Sequence, residues 1–167
     1  MAIETERKFL VATDAFLPQA MDSRHLVQGY LCLDPARTVR VRIAGQEAFL
    51  TVKGPSDPAG LSRGEWEYRI PLEDARQLVA LCLEGVIDKT RYRVPVDSGR
   101  HIFTVDVFHG DNRGLVLAEI ELDCAQEAFE RPEWLGREVT GDARYYNAAL
   151  STRPYRDWGG EEDPGRK

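Results

Sequence analysis

Along most of the chain, apolar and polar residues alternate with a period of two, the spacing of a strand with one dry and one wet face. The alternation predicts strands over Ile3–Val11, His25–Leu33, Thr38–Ala44, Glu47–Lys53, Glu65–Pro71, Ile87–Val94, Ile102–Phe108 and Leu115–Leu122. Ala44-Gly45-Gln46 and Asp97-Ser98-Gly99 read as hairpin turns, and Lys53–Gly64, rich in Gly and Pro, reads as a long connection. Helical spacing is rarer. It predicts a helix over Glu73–Leu83, with Ala75, Leu78, Val79 and Cys82 on one face and Gly85 near its C-terminal cap. A short helix over Cys124–Phe129, ended by Arg131-Pro132, and a third over Asp142–Leu150 complete the set. From Arg153 to Lys167 the chain is rich in Pro, Gly and charge without periodicity, and reads as a partly disordered tail anchored by Trp158. Many short-linked strands and few helices predict a mainly β (α+β) domain over residues 1–152. In it an eight-stranded antiparallel sheet closes into a barrel flanked by a few helices, because closure removes exposed edges.

Composition narrows the partners. At 167 residues the chain is the size of one domain, and 43% hydrophobic residues suit an ordinary globular core. No apolar run is long enough to span a bilayer, and MAIETERKF carries charge where a secretory leader needs an apolar stretch, so no membrane partner is expected. Cys32, Cys82 and Cys124 are unevenly spaced and form neither a disulfide framework nor a metal knuckle, which points to the reducing cytoplasm. The formal net charge of -6 argues against a nucleic-acid partner, since backbone binding shows as a basic surplus. A small-molecule partner is expected, with the chain a monomer or homodimer.

Sorting charges by strand face changes the picture further. Glu4, Glu6 and Lys8 share a face, opposite Ile3, Thr5 and Phe9; Arg40 and Arg42 share one opposite Val39, Val41 and Ile43. Lys53 sides with Thr51. Glu65, Glu67 and Arg69 stand opposite Trp66, Tyr68 and Ile70. Lys89, Arg91 and Arg93 share a face, as do Thr104 and Asp106, and Glu119 and Glu121. A single strand of this kind is an ordinary wet face. Here, however, acids and bases segregate by strand, and arginine, whose fork suits phosphate or carboxylate oxygens, outnumbers lysine in the basic groups. With this face turned inward, like charges two positions apart repel unless a ligand compensates them. Clustered carboxylates call for a hard divalent cation, clustered Arg and Lys for a polyanion, and a metal–polyphosphate complex satisfies both. Trp66, Tyr68 and Phe103 are expected to pack the outer face against helices. The residues of P-loop, dinucleotide-binding and zincin motifs are missing, and His25, His101 and His109 are scattered.

The ordered set of Glu4-Thr5-Glu6-Arg7-Lys8, Gln28-Gly29-Tyr30-Leu31, Arg40-Val41-Arg42, Thr51-Val52-Lys53, Ser62 to Glu67, Lys89-Thr90-Arg91-Tyr92, Val105-Asp106, Glu119-Ile120-Glu121 and Arg144-Tyr145-Tyr146-Asn147 resembles the CYTH superfamily, the triphosphate tunnel metalloenzymes. It is most similar to the short bacterial members, which resemble inorganic triphosphatases. The resemblance implies an eight-stranded tunnel, with one or two Mg²⁺ or Mn²⁺ ions on Glu4, Glu6, Glu119 and Glu121 and a triphosphate cradle of Lys8, Arg40, Arg42, Lys53, Lys89, Arg91 and Arg144. It assigns Glu4, Glu6, Lys89 and Glu121 to catalysis. Glu65, Glu67 and Asp106 lie in or beside the tunnel, as further metal carboxylates or as partners orienting the bases. The implied reaction is metal-dependent hydrolysis of tripolyphosphate to diphosphate and phosphate. Alternatives on the same site are a class IV adenylate cyclase, a thiamine or nucleoside triphosphatase, and a non-catalytic polyphosphate-binding module.

Overall fold

The alternation of dry and wet positions becomes a single antiparallel sheet in a computed structural model that describes residues 5–56 and 63–159. Its strands are β1 (Thr5–Val11), β2 (Asp22–Cys32), β3 (Thr38–Ala44), β4 (Glu47–Ser56), β5 (Arg63–Arg69), β6 (Ile87–Val96), β7 (His101–Phe108), β8 (Val116–Leu122) and β9 (Leu135–Glu138). They lie in the order β5-β4-β3-β2-β6-β7-β8-β1-β9. The eight expected strands are all present, and β9 is an addition, too short for its alternation to register in sequence. The expected hydrogen-bonded closure is corrected: among the described residues β5 and β9 are free edges of a nine-stranded sheet. The physical reason is that β9 pairs with β1 through Phe9↔Glu138 and Val11↔Leu135, occupying the edge that β5 would need.

The outward residues of β1, β6, β7 and β8 form one core. Phe9, Val11, Val94, Phe103, Val105, Ala118 and Ile120 are buried there beneath Phe16, Trp134 and Phe129. Phe16 comes from a 3₁₀ turn, Asp14–Gln19, and Trp134 from the approach to β9. Phe103 thus packs as an outer-face residue, edge-on to Trp134 and Phe129 rather than to a helix. Over β3 and β4, helix α1 (Leu72–Ala80) buries Ala75 against Val41 and Ala48, with Leu78 and Val79 alongside. Trp66 and Tyr68, expected under a helix, are 51% and 58% exposed on edge strand β5, beyond the reach of this short helix.

A third cluster sits on the inner side of the sheet, at one end. Leu10, Ile87, Phe108 and Leu117 pack there with Val139, Tyr145 and Leu150 of the C-terminal segment. Trp158 covers this cluster edge-on to Tyr145 and Tyr155. The expected helix over Asp142–Leu150 is broken at Tyr146, which is extended (φ -74, ψ 141), leaving a 3₁₀ turn and helix α2 (Asn147–Thr152). Cys124–Phe129 is a turn without a helix. Gly85 is not the cap of α1, which ends on Leu81; it holds φ +89, and a Cβ there would stand 1.7 Å from the Ser151 carbonyl oxygen. Only glycine lets the α1–β6 connection pass this close to α2.

Candidate active site

The inner face between the apolar end and the rest of the sheet encloses a cavity of about 610 Å³. Each strand contributes by its parity. β1 supplies Glu6 and Lys8, β3 supplies Arg40 and Arg42, β4 supplies Lys53, β6 supplies Lys89 and Arg91, and β8 supplies Glu119. Cross-strand register then sorts the charges. Glu6 stands opposite Glu121, and Lys8 stands opposite Glu119, with its Nζ 3.1 Å from Glu119 Oε1. Burial, with Glu119 and Glu121 alongside, raises the Glu6 carboxyl above its usual range, although Lys8 and Arg91 oppose this.

The basic wall is built around Asp106, which is 3% exposed. Lys89 Nζ donates to Asp106 Oδ2 at 2.7 Å, while Arg91 donates through Nε and Nη2 to both carboxylate oxygens at 2.7 and 2.8 Å. Burial alone would raise this carboxyl, but Lys89 and Arg91 outweigh it and hold Asp106 ionised, below its ordinary value. Burial leaves the Lys89 ammonium below its ordinary value, although Asp106 opposes this. Asp106 therefore positions two cations without itself lining the cavity. Glu67 plays the corresponding part across the sheet, accepting from Thr51 at 3.0 Å and from Arg42 Nη2 at 3.5 Å. Glu65 lies 3.3 Å from Lys53 Nζ.

These partners do not use up the donors. Arg40 Nε, Arg42 Nε and Gln28 Nε2 are buried without a hydrogen-bond partner, and all three side chains line the cavity. Burial and the neighbouring Arg40 lower the Arg42 guanidinium. Unspent N–H groups are costly when left unpaired and form strong bonds with an anion that reaches them.

The CYTH domain family matches residues 2–155. The chain belongs to the CYTH domain family. It is 43% identical over 159 residues to an inorganic triphosphatase of Acetivibrio thermocellus, covering 95% of this chain and 99% of that protein. It is 39% identical over 152 residues to an inorganic triphosphatase of Nitrosomonas europaea, covering 89% and 96%. The crystal structure of the inorganic triphosphatase NE1496 superposes with a TM-score of 0.71 at 36% identity, over 90% of this chain and 95% of that one.

Within this CYTH fold, Lys8, Arg40, Arg42, Lys53, Lys89, Arg91, Glu6 and Glu119 converge on one cavity. Glu121 is exposed beside Glu6 and does not line it. Arg144 does not line it either; its guanidinium grips Asp142 and lies over Tyr145 and Trp158. Glu4 lies outside the described residues. Among the described residues, no three His, Cys, Asp or Glu side chains stand close enough to hold an ion as they are. The donor chemistry still fits one, because Glu6 is crowded by Glu119 and Glu121 in a way a divalent cation would relieve. Sequence reasoning missed Thr140 and Gly141 and quoted Tyr146 and Asn147 within a motif without giving them a role, yet all four wall the cavity. Asn147 Oδ1 accepts from Lys89 Nζ at 3.1 Å, and Lys8 Nζ lies 5.1 Å above the Tyr146 ring. It also quoted Gln28 and Tyr30 within a motif without giving them a role; the signal for one was a polar amide inside the run His25–Leu31.

Proposed function

We propose that the protein hydrolyses inorganic triphosphate to diphosphate and orthophosphate, and that the reaction depends on Mg²⁺ or Mn²⁺. The observation that carries this reading is that Gln28, Arg40 and Arg42, each with a buried, unpartnered nitrogen, line a cavity whose other wall is acidic. The curated relatives named inorganic triphosphatases, matched along nearly their whole length, support the same substrate. Glu6, Glu119 and Glu121, joined by Glu4, would hold the cation. Bound there, it would neutralise phosphate charge and lower the pKa of a coordinated water.

The chain's own side chains do the remaining work. Arg40, Arg42 and Lys53 from one side and Lys8, Lys89 and Arg91 from the other bind the phosphates and hold them in line. Water adds to the terminal phosphorus, the anhydride P–O bond breaks, and diphosphate leaves with its new charge facing the guanidinium wall. No Ser, Cys or His lines the cavity among the described residues, so water rather than a side chain of these types is the attacking group. Cys32, Cys82 and Cys124 are all unpaired, which suits a reducing, cytoplasmic location.

Phosphate release from tripolyphosphate, ATP and thiamine triphosphate, each with Mg²⁺, tests the reading. Tripolyphosphate is expected to be turned over best, and EDTA to abolish its hydrolysis. Glu6→Gln is expected to melt at or above the parent temperature, because a crowded carboxylate has been neutralised. It should nevertheless lose most activity, with partial recovery at high metal. Full turnover in metal-free buffer, or a clear preference for ATP, would overturn the proposal.

A further inference from the structure

We propose that the end of the tunnel carrying Arg24 and Arg93 is a second anion subsite, which holds inorganic orthophosphate while the main cavity is occupied. A second cavity of about 520 Å³ lies there, lined by Arg24, Arg42, Arg91 and Arg93 and by one carboxylate, Asp22, while Glu47, Glu67 and Asp106 pair with Arg24, Arg42 and Arg91 from outside the lining. It shares Leu26, Arg42 and Arg91 with the main cavity, so the two are consecutive stretches of one tunnel. The inner-face rows run on from one to the other: Lys89 and Arg91 continue into Arg93 along β6, and Gln28 and Leu26 continue into Arg24 along β2. At the opposite end Leu10, Ile87, Leu117, Tyr145 and Leu150 fill the inner side with apolar packing. Among the described residues, the polar lining of the tunnel therefore continues toward the arginine end.

Donors for an anion remain there. Arg91 spends Nε and Nη2 on Asp106, which leaves Nη1, and Arg42 Nε is buried without a partner. The Arg93 fork closes on Asp22, and Arg24 Nη1 reaches Glu47 Oε2 at 3.4 Å; the side chains of both pairs are between a third and three-fifths exposed. Solvated pairs of this kind are weak and readily exchanged. A phosphate dianion presents oxygens to several guanidinium forks at once, which one carboxylate cannot match. The triphosphatase reading supplies the source of this phosphate, but the subsite itself does not depend on it.

The test uses inorganic phosphate as probe in two arms. With metal withheld and tripolyphosphate saturating, phosphate at tenfold excess over its dissociation constant is expected to raise the melting temperature a second time, by roughly 3–6 °C. Arg24→Ala with Arg93→Ala should remove this second rise, and Arg24→Lys with Arg93→Lys should retain part of it. With Mg²⁺ present and diphosphate measured as product, phosphate is expected to lower kcat in the parent and to act only as a competitor in the double alanine variant. The proposal is overturned if phosphate adds nothing above saturating tripolyphosphate, or if parent and double alanine variant respond alike. Failure of the parent to turn over tripolyphosphate would sink the triphosphatase reading alone, since the melting arm still decides the subsite.

Discussion

The Asp106 carboxylate meets the Lys89 ammonium and the Arg91 guanidinium together, so removing it takes the directly bonded carboxylate from a fully buried ammonium and a part-buried guanidinium. Breaking a buried pair from one side costs about 3–5 kcal/mol. Asp106→Asn is expected to lose that much in urea unfolding and to lose activity with it, because Lys89 and Arg91 are no longer aimed; a loss below ~1 kcal/mol would mean the pair adapts freely. His101 makes a different prediction, away from the cavity. Its ring nitrogens meet Glu127 Oε1 at 2.8 Å and Asp97 Oδ2 at 2.5 Å, tying the β6–β7 turn to the segment after β8. The bonds to Glu127 and Asp97 raise the imidazole above its ordinary 6.5. Glu127 and Asp97 are lowered from 4.5 and 3.8, mainly by the His101 bond and by a backbone bond at Glu130 respectively. Arg100, 3.6 Å from Glu127, and Glu130, whose carboxylate accepts the Asp97 N–H, also face the group. A raised base stabilises below its unfolded pKa and loses that contribution as pH climbs through the folded value; lowered acids stabilise above theirs and lose it as pH falls. The clasp is thus complete between roughly pH 4.5 and 6.5 and weakens on either side. Melting temperature should decline from pH 6 to 8 in the parent more steeply than in His101→Gln; parallel curves would remove the clasp from the account.

At the scale of elements, packing against a distant segment decides what local pattern cannot. Gly85→Ala puts a methyl group onto the Ser151 carbonyl and an L side chain at φ +89. The backbone strain alone costs about 1–3 kcal/mol. The displaced α2 should also carry Asn147 off Lys89, so the variant is expected to melt lower and to turn over more slowly, with kcat falling more than KM rises. Normal kinetics in a destabilised variant would separate α2 from the active site. The same contact explains a misreading from sequence, where Gly85 looked like the cap of α1. The strands were legible because one face of each is dry, and a slip of one residue in β1, β3 or β6 would put Phe9, Val41 or Val94 among the charges. The charged walls were legible for the same reason. Where an element is short or its partner remote, pattern carries little. β9 is four residues long, too short for its alternation to stand out, and the 3₁₀ turn that places Phe16 has no helical face. Tyr146 interrupts a helical pattern because its neighbours Tyr145 and Leu150 are drawn into the inner cluster. Arg144 shows the limit of motif reading: of Arg144-Tyr145-Tyr146-Asn147, Tyr146 and Asn147 line the cavity, Tyr145 is buried in the inner apolar cluster, and the Arg144 guanidinium lies against Asp142 and two aromatic rings.

For the molecule as a whole, a chain of net charge -6 gathers Lys8, Arg40, Arg42, Lys53, Lys89 and Arg91 around one cavity, and this is strained unless filled. Arg42 shows the strain most directly, since burial and Arg40 lower its guanidinium and its Nε has no partner. Tripolyphosphate relieves the repulsion and supplies charge-assisted acceptors to the unspent donors. A ligand that binds only the native state adds about 2.7 kcal/mol at a hundredfold excess over its dissociation constant. In a domain of this size each kcal/mol raises the melting temperature by roughly 2–4 °C. Tripolyphosphate is therefore expected to raise it by roughly 5–11 °C at that excess, in metal-free buffer where turnover is blocked. Orthophosphate alone, at the same concentration, should do much less, because it spans only part of the wall. Arg42→Ala is expected to leave the empty protein folded, since it removes a repelled, part-exposed cation that lies 5.5 Å from the Phe49 ring and pairs with Glu67 at 3.5 Å. The same change should shrink the tripolyphosphate shift, because a cavity-lining guanidinium with an unspent Nε goes with it. Should the melting temperature ignore tripolyphosphate, or the shift survive Arg42→Ala intact, the inner face is a wet surface and not a cradle.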